Sequence, residues 1–421
     1  MAPIAVPVCI IVENLAVPAD RRVWREAKAL CEAGYSVSII CPKGGGFEKG
    51  HEMLEGIEIY RHPSWEGSTP LGHLLEYAWA LTVEFVLALR IYARTRFRIL
   101  QACNPPDTIF LIALFFKLFG VRFVFDQHDP APEFCAVRFQ RKGWVYRLAR
   151  LAEWLTFRVA DVAIATNDAL REIALTRGGV SQERSFVVRT CPDLNDFPLQ
   201  PARPELKQGR KYLVVYIGVM GSQDGIDLLL ESVEYLVRVK GRNDALFVLI
   251  GWGPDLGRLK ARVAARSLDD CVKFTGALYG DDLRGYLATA DVGVAPDPSN
   301  IFNDKLTMIK IFEYMAYGMA VVLYELPEGR RSAGGAALYA HGNDPIDFAE
   351  KIAHLLDSES SRKQLGAIGR KQIVESLNWG IEKQMLLKAY HAAFNGYFPP
   401  LSGTKSGCIS FPSSRNFKAK R

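Results

Sequence analysis

The chain has 421 residues, of which 49% are hydrophobic and 23% charged; this is a globular composition, too long for one compact core and suited to two domains. Its formal charge of +6 is concentrated in an acid-free tail holding Lys405, Arg415, Lys418, Lys420 and Arg421, so a general nucleic-acid coat is excluded and no nucleic-acid partner is expected. The eight cysteines include no CxxC pair and no disulfide-scaffold spacing, which fits a reduced, cytoplasmic protein.

The first apolar run, Ile4–Val12, lacks a basic flank and is broken by Pro7, so it reads as a strand and not as a leader. Strands are expected at Val8–Glu13, Ser36–Cys41, Ile57–Arg61, Ile99–Ala102, Arg122–Asp126, Val162–Thr166 and Ser185–Arg189, with helical patterns such as Arg22–Ala33 and Leu74–Ala93 between them. Thr108–Phe119 is strongly apolar but holds Lys117 and falls short of the roughly 20 residues of a membrane span; it reads as a buried helix. A stretch punctuated by Pro192, Pro198, Pro201 and Pro204 follows, as in a linker. The alternation then restarts at Tyr212–Ile217, Leu246–Ile250, Val272–Thr275, Val292–Ala295, Ala320–Leu323 and Ala337–Tyr339. The fold class is α/β: two Rossmann-like doubly wound domains (residues 1–195 and 212–378, joined by a linker at 196–211) facing across a cleft, where such sheets place ligands. Residues 397–421 read as a disordered basic tail.

Several segments carry candidate chemistry. After the first strand, Asp20 has the position of a helix N-cap, with Arg21 and Arg22 in the first turn. Positive charge there opposes the helix dipole and hints at an anionic partner. His128, flanked by Asp126 and Asp129, closes a strand; it either serves a sugar hydroxyl or a proton, or holds the turn together. No metal is expected, since no second His stands nearby. Arg90, Arg94, Arg96 and Arg98, and later Arg138, Arg141, Lys142, Arg147 and Arg150 with Trp144 and Tyr146 interleaved, suit an anionic membrane surface or plain solvated helix faces. In the second half, Gly218, Gly221, Ser222 and Gly225 end a strand and open a helix, as a diphosphate loop or an ordinary tight turn does. Gly251-Trp-Gly253 imitates a dinucleotide fingerprint, but the next strand closes at Phe274-Thr-Gly276 without a carboxylate, so nicotinamide binding is rejected. From Ala295 a polar loop runs to Lys305 and a helix ends at Gly318, with Ile309, Phe312 and Met315 on its buried stripe. Lys310 and Glu313, three apart on that helix, are either a surface ion pair or a carboxylate for a ribose beside cations for a diphosphate.

Taken together, Lys310-Ile-Phe-Glu-Tyr-Met-Ala-Tyr-Gly-Met-Ala-Val-Val322, Phe247–Gly253, Phe274–Gly276, Leu377-Asn-Trp379, Glu13-Asn14, Asp20-Arg-Arg-Val-Trp24, Cys103-Asn-Pro-Pro-Asp107, His128-Asp129 and Asn303-Asp-Lys305 resemble the GT-B retaining glycosyltransferases of family 4, of the bacterial surface-polysaccharide type. The resemblance runs from Ile10 to about Phe394. It implies a metal-independent, cofactor-free transfer from a nucleotide-sugar co-substrate to a lipid-linked saccharide at the inner face of the cytoplasmic membrane. It also implies that a C-terminal helix at 379–396 crosses back to the first domain. Glu313 matches the ribose-binding carboxylate, and Asp304, Lys305, Leu306, Thr307 and Met308 match the loop holding donor sugar and diphosphate. Thr275 and Gly276 border the base, Gly218, Gly221, Ser222 and Gly251 line the donor side, and His128 lies near the donor sugar. Asn14, Asp20, Arg21 and Arg22 lie on the acceptor side.

The sequence departs from the family at three positions. Lys305 stands where the first of two paired glutamates belongs, and the phosphate-gripping Arg and Lys fall on Val219 and Asp224. Lys305, Lys310 and the Gly221–Gly225 backbone are therefore expected to stabilise the leaving group. Two alternatives follow: a GT-B nucleotide-sugar epimerase, or a non-catalytic nucleotide-sugar-binding partner.

Overall fold

Short β-branched runs separated by amphipathic helices wind into two sheets, one per lobe, in a computed structural model that describes residues 5–64, 70–139 and 142–394. The basic tail at 397–421 and Arg141 lie outside the described residues. The first lobe runs β1 (Val6–Val12), α1 (Arg21–Glu32), β2 (Tyr35–Pro42), β3 (His51–Leu54), β4 (Ile57–His62), α2 (Pro70–Thr95), β5 (Ile99–Cys103), α3 (Phe110–Lys117), β6 (Arg122–Gln127), α4 (Ala131–Arg138), α5 (Trp144–Val159), β7 (Val162–Ala165), α6 (Asp168–Thr176) and β8 (Ser185–Val187). Its strands stand in the order β3-β4-β2-β1-β5-β6-β7-β8. They are parallel except for β3, a short antiparallel edge paired with β4. The sequence reading missed β3, because four residues of alternating exposure give too little pattern to separate from a loop.

The second lobe runs β9 (Tyr212–Ile217), α7 (Ile226–Arg238), β10 (Ala245–Ile250), α8 (Leu256–Ala265), β11 (Val272–Gly276), α9 (Gly280–Thr289), β12 (Val292–Ala295), α10 (Ile309–Ala316), β13 (Ala320–Tyr324), α11 (Pro327–Ala333), β14 (Ala337–Ala340), α12 (Pro345–Asp357), α13 (Glu359–Glu375) and α14 (Trp379–Ala393). Its all-parallel order is β11-β10-β9-β12-β13-β14. Wholly apolar strands such as Ala245–Ile250 are buried along their length because helices cover both faces of the sheet. In both sheets the chain order reverses beside β1 and β9, which fixes the switch points from which loops reach the cleft.

The segment between the lobes is tied down: Cys191 and Phe197 are buried in the second lobe's core, and Lys207 pairs with Asp291 at 2.8 Å. The last helix belongs by packing to the first lobe, where Trp379, Leu386, Ala389 and Tyr390 join the core with Val124 and Val162. Among the described residues no helix is long and apolar enough to cross a membrane. The expectation of a buried helix at Thr108–Phe119 needs correction. Its inner face (Ile112, Ala113, Phe116) is buried, but Leu111, Leu114, Leu118 and Phe119 are exposed, because α3 covers the sheet with nothing among the described residues stacked outside it.

Candidate functional site

Asp20 caps α1 through its carboxylate, accepting the N–H groups of Arg22 and Val23, and so sets the direction of the next two side chains. Arg22 turns inward. Its guanidinium donates to Asp126 from Nη2 at 2.7 Å and from Nε at 3.1 Å, to the Val188 carbonyl at 2.7 Å, and pairs with Glu26 at 3.0 Å. Arg22, Glu26 and Asp126 are all buried. Asp126 also holds His128, whose Nε2 lies 2.7 Å from Oδ2. Burial disfavours charge on His128, but the adjacent carboxylate outweighs it and raises the imidazole above its ordinary pKa. For Asp126 burial works the same way, and Arg22 and His128 overcome it, holding the carboxyl below its usual range. The turn itself is fixed by Asn104, whose Oδ1 accepts the N–H groups of His128 and Asp129 at 2.6 and 3.2 Å; the imidazole is free of that task.

The neighbouring arginine turns the other way. Arg21 Nη1 lies 3.4 Å from Glu313 Oε1 on α10, across the cleft. Consecutive residues of one helix turn thus touch His128 and Glu313, which places both groups on one opening. The anionic partners that the two arginines call for are, in this state, the protein's own carboxylates. Asn167, the N-cap of α6, also crosses the cleft: its Nδ2 donates to the Lys305 carbonyl at 2.8 Å and to Thr307 Oγ1 at 3.2 Å. Beside them the rings of Phe134 and Phe302 meet edge to face at 5.4 Å.

On the second lobe Glu313 is buried; burial pushes its pKa up against the pull of Arg21, Arg25 and Lys310. Lys310 does not pair with it. Its ammonium donates to both oxygens of Asp297, at 2.9 and 3.1 Å, and lies over the Tyr216 ring. Asp224 accepts the Gly221 N–H at 2.9 Å, and burial raises it to about 6. The two devices expected to take a leaving diphosphate, Lys310 and the Gly221 amide, therefore have internal partners here. Ile309 is exposed, a correction to its placement on the buried stripe, which begins at Ile311 because α10 starts at the surface. Lys305, Leu306, Thr307 and Met308 are half-buried at the start of α10, whose first turn no side chain caps. Asp304 precedes them, bonded to Ser299.

The glycine turns pack on each other: a Cβ on Gly225 would stand 1.9 Å from the Pro296 carbonyl oxygen, and one on Gly251 1.8 Å from that of Gly218. Backbone approach alone accounts for both. Ser222 is exposed beside them, and Thr275 and Gly276 are half-buried at the end of β11. On the first lobe Asn14 is exposed and Asp20 buried. Two groups of possible metal-ligand atoms occur among the described residues, Cys103–Asp126–His128 and Glu13–His62–Glu84. In the first, Arg22 Nε already lies 3.1 Å from both Asp126 and His128, so a cationic side chain fills the place an ion would take.

Sequence reasoning missed Glu26, Asp297 and Asn167. Asn167 carried a signal as a helix N-cap and Glu26 one as the i,i+4 partner of Arg22, whereas Asp297 lies in a loop thirteen residues before its partner Lys310, and nothing local marks it.

A model of the family described as "Glycosyl transferase 4-like domain" matches residues 19–191, and one described as "Glycosyl transferases group 1" matches residues 211–358. The sulfoquinovosyl transferase SQD2 of Arabidopsis thaliana is 24% identical over 303 residues, 68% of this chain and 55% of that protein. The amylovoran biosynthesis glycosyltransferase AmsK of Erwinia amylovora is 26% identical over 163 residues, 38% of this chain and 36% of that protein. The chain thus spans about half the length, or less, of these relatives. Among solved structures, sucrose-phosphate synthase from Thermosynechococcus elongatus superposes with a TM-score of 0.74 at 16% identity, covering 93% of this chain and 99% of the other. Anabaena HepE in complex with UDP-glucose gives 0.66 at 13% identity, covering 92% and 99%. At these identities the likeness concerns the fold.

Proposed function

We propose that this chain, whose two lobes belong to the glycosyltransferase 4-like and glycosyltransferase group 1 families, transfers a sugar from a nucleotide-sugar bound mainly by the second lobe to an acceptor bound by the first. The observation that carries the reading is the pair Arg21–Glu313 and Arg22–His128, which sets a buried carboxylate and an imidazole on two sides of one cleft. HepE, a structure of like fold, is named as holding UDP-glucose, and AmsK is named for polysaccharide biosynthesis. The acceptor in this reading is a lipid-linked saccharide of a surface polysaccharide at the inner face of the cytoplasmic membrane.

In this reading the nucleotide's ribose displaces Arg21 and donates its hydroxyls to Glu313. The diphosphate lies at the uncapped start of α10, where backbone N–H groups and Lys305 face developing negative charge. The C–O bond to the diphosphate breaks as the acceptor oxygen attacks from the same face, retaining the anomeric configuration, and the leaving phosphate takes the acceptor's proton. His128, held by Asp126, donates to a hydroxyl of the transferred sugar. No step calls for a metal or a cofactor. Closure of the lobes excludes water from the reacting sugar.

A thermal-shift screen across nucleotide-sugars tests the reading: the true donor raises the melting temperature by mass action. Glu313→Gln removes that shift while the unliganded melt stays in place. A donor shift unchanged by Glu313→Gln overturns the assignment. One observation favours a second reading, a non-catalytic nucleotide-sugar-binding partner: Lys310 and the Gly221 amide are already occupied by Asp297 and Asp224. Donor binding without transfer to any acceptor, and without hydrolysis, selects that reading.

A further inference from the structure

An ordinary helix layer turns charge outward. In the second lobe α7 and α8 do so, with Arg258 paired to Asp227, Arg262 to Glu231 and Arg266 to Glu234 across their outer faces. In the first lobe α2, α3 and α5 also turn large apolar side chains outward. On α2 the outward positions Trp79, Val86 and Leu89 are exposed and share one face by their spacing. On α3 the outward positions are Leu111 and Leu114, followed just past its end by Leu118, 80% exposed. On α5 they are Leu148, Leu151 and Trp154.

The three helices lie side by side over the same face of the sheet. The Phe85 ring of α2 meets Phe115 of α3 edge-on at 5.0 Å, and Lys117 at the end of α3 donates to the Val159 carbonyl at the end of α5 at 2.8 Å. The apolar positions therefore join into one outer surface spanning three helices, where a typical monomer has only scattered ones.

Charge on this side of the lobe is segregated by sign. Between residues 77 and 160 every described carboxylate is buried or half-buried, whereas Arg90, Arg94, Arg98, Arg122, Arg147 and Arg158 are exposed. Arg158 lies over the Trp154 ring at 5.3 Å. Leucines and tryptophans rimmed by arginines, with no exposed carboxylate, match a layer whose polar groups are anionic and whose interior is hydrocarbon.

We infer that the outer face of α2, α3 and α5 docks on the surface of an anionic lipid bilayer, with the leucines entering the headgroup–acyl boundary and the arginines meeting the phosphates. None of these helices is long and apolar enough to cross the bilayer, so the lobe lies on it. The inference deepens the reading above, supplying the surface on which a lipid-linked acceptor would be presented, and rests on it only for that purpose.

Co-sedimentation of the full chain with vesicles tests it, using phosphatidylcholine and phosphatidylglycerol in equal parts against phosphatidylcholine alone, with no donor or acceptor present. The expected result is strong binding to the mixed vesicles, weakened by salt, and little to the neutral ones. The triple variant Leu114→Glu, Leu118→Glu, Leu151→Glu, with its circular-dichroism melt unchanged, loses at least about tenfold in partitioning. Wild-type protein that stays in the supernatant overturns the inference, as does a folded triple variant that pellets like wild type. Self-association in solution abolished by the same substitutions, without vesicle binding, reassigns the face to a second copy and equally overturns it. Vesicle binding by a protein that binds no nucleotide-sugar upholds the surface and removes the transferase reading, so the two fail separately.

Discussion

Replacing Arg22 by leucine removes one cation from a buried set in which Asp126 and Glu26 both depend on it. Three of its contacts go to carboxylate oxygens at 2.7, 3.0 and 3.1 Å, and the set is shut off from bulk water, since Arg22, Glu26 and Asp126 are 6%, 0% and 0% exposed. Removing one partner of a buried charge set costs about 3–5 kcal/mol because the remaining charge is left without compensation. For a lobe of this size each kcal/mol moves the melting temperature by roughly 2–4 °C, so Arg22→Leu should melt about 6–20 °C lower. Urea denaturation near pH 7.5, followed by circular dichroism, gives the free-energy difference directly. Adding Asp126→Asn to Arg22→Leu should recover part of the loss, because it neutralises the stranded carboxylate. An Arg22→Leu protein within about 1 kcal/mol of wild type refutes the claim that this arginine neutralises the site. A double variant no more stable than the single one shows that packing, not charge, was lost.

Exchanging Lys305 for alanine should leave the melt unchanged and slow transfer by roughly 10²-fold, the usual effect of removing one group that faces leaving-group charge; Lys310→Met should instead lower stability by about 3 kcal/mol by stranding Asp297, and steady-state kinetics beside denaturation melts separates the two. Asp107 is pushed up to about 7 by burial. The native state then holds a proton that the unfolded chain gives up near pH 4, so this group's contribution falls as pH rises through that window. Asp107→Asn should flatten the stability–pH curve between about pH 4 and 7, as read from urea midpoints across that range. Tyr390 on α14 donates to Gln101, which donates to Glu26 at 2.7 Å and so reaches Arg22. Tyr390→Phe should cost about 1 kcal/mol and alter the pH dependence of transfer while leaving donor affinity alone; a pH profile superimposable on wild type would exclude this linkage to His128.

Alternating strands and helices of ordinary length gave away both lobes from the residues alone. The apolar cores of Tyr212–Ile217, Ala245–Ile250 and Val292–Ala295 admit few other placements once helices flank them. His128, Lys305 and Glu313 were singled out because each lies just past a strand end or on the helix that follows it, where α/β folds gather ligands. What Arg21 and Arg22 do was not legible. Their partners stand 292 and 104 residues away: the packing of one lobe against the other gives Arg21 to Glu313, and the packing of α1 beside β6 within the first lobe gives Arg22 to Asp126. Lys310 and Glu313 looked like a local pair at helical spacing, yet tertiary packing gave one to Asp297 and the other to Arg21. The leucines of α3 carried the same ambiguity, since an apolar run has the same pattern whether its outer side meets a neighbouring element or none. Periodicity encodes which residues share a face of one element; what that face meets depends on how distant segments assemble, and that information resides in the whole fold.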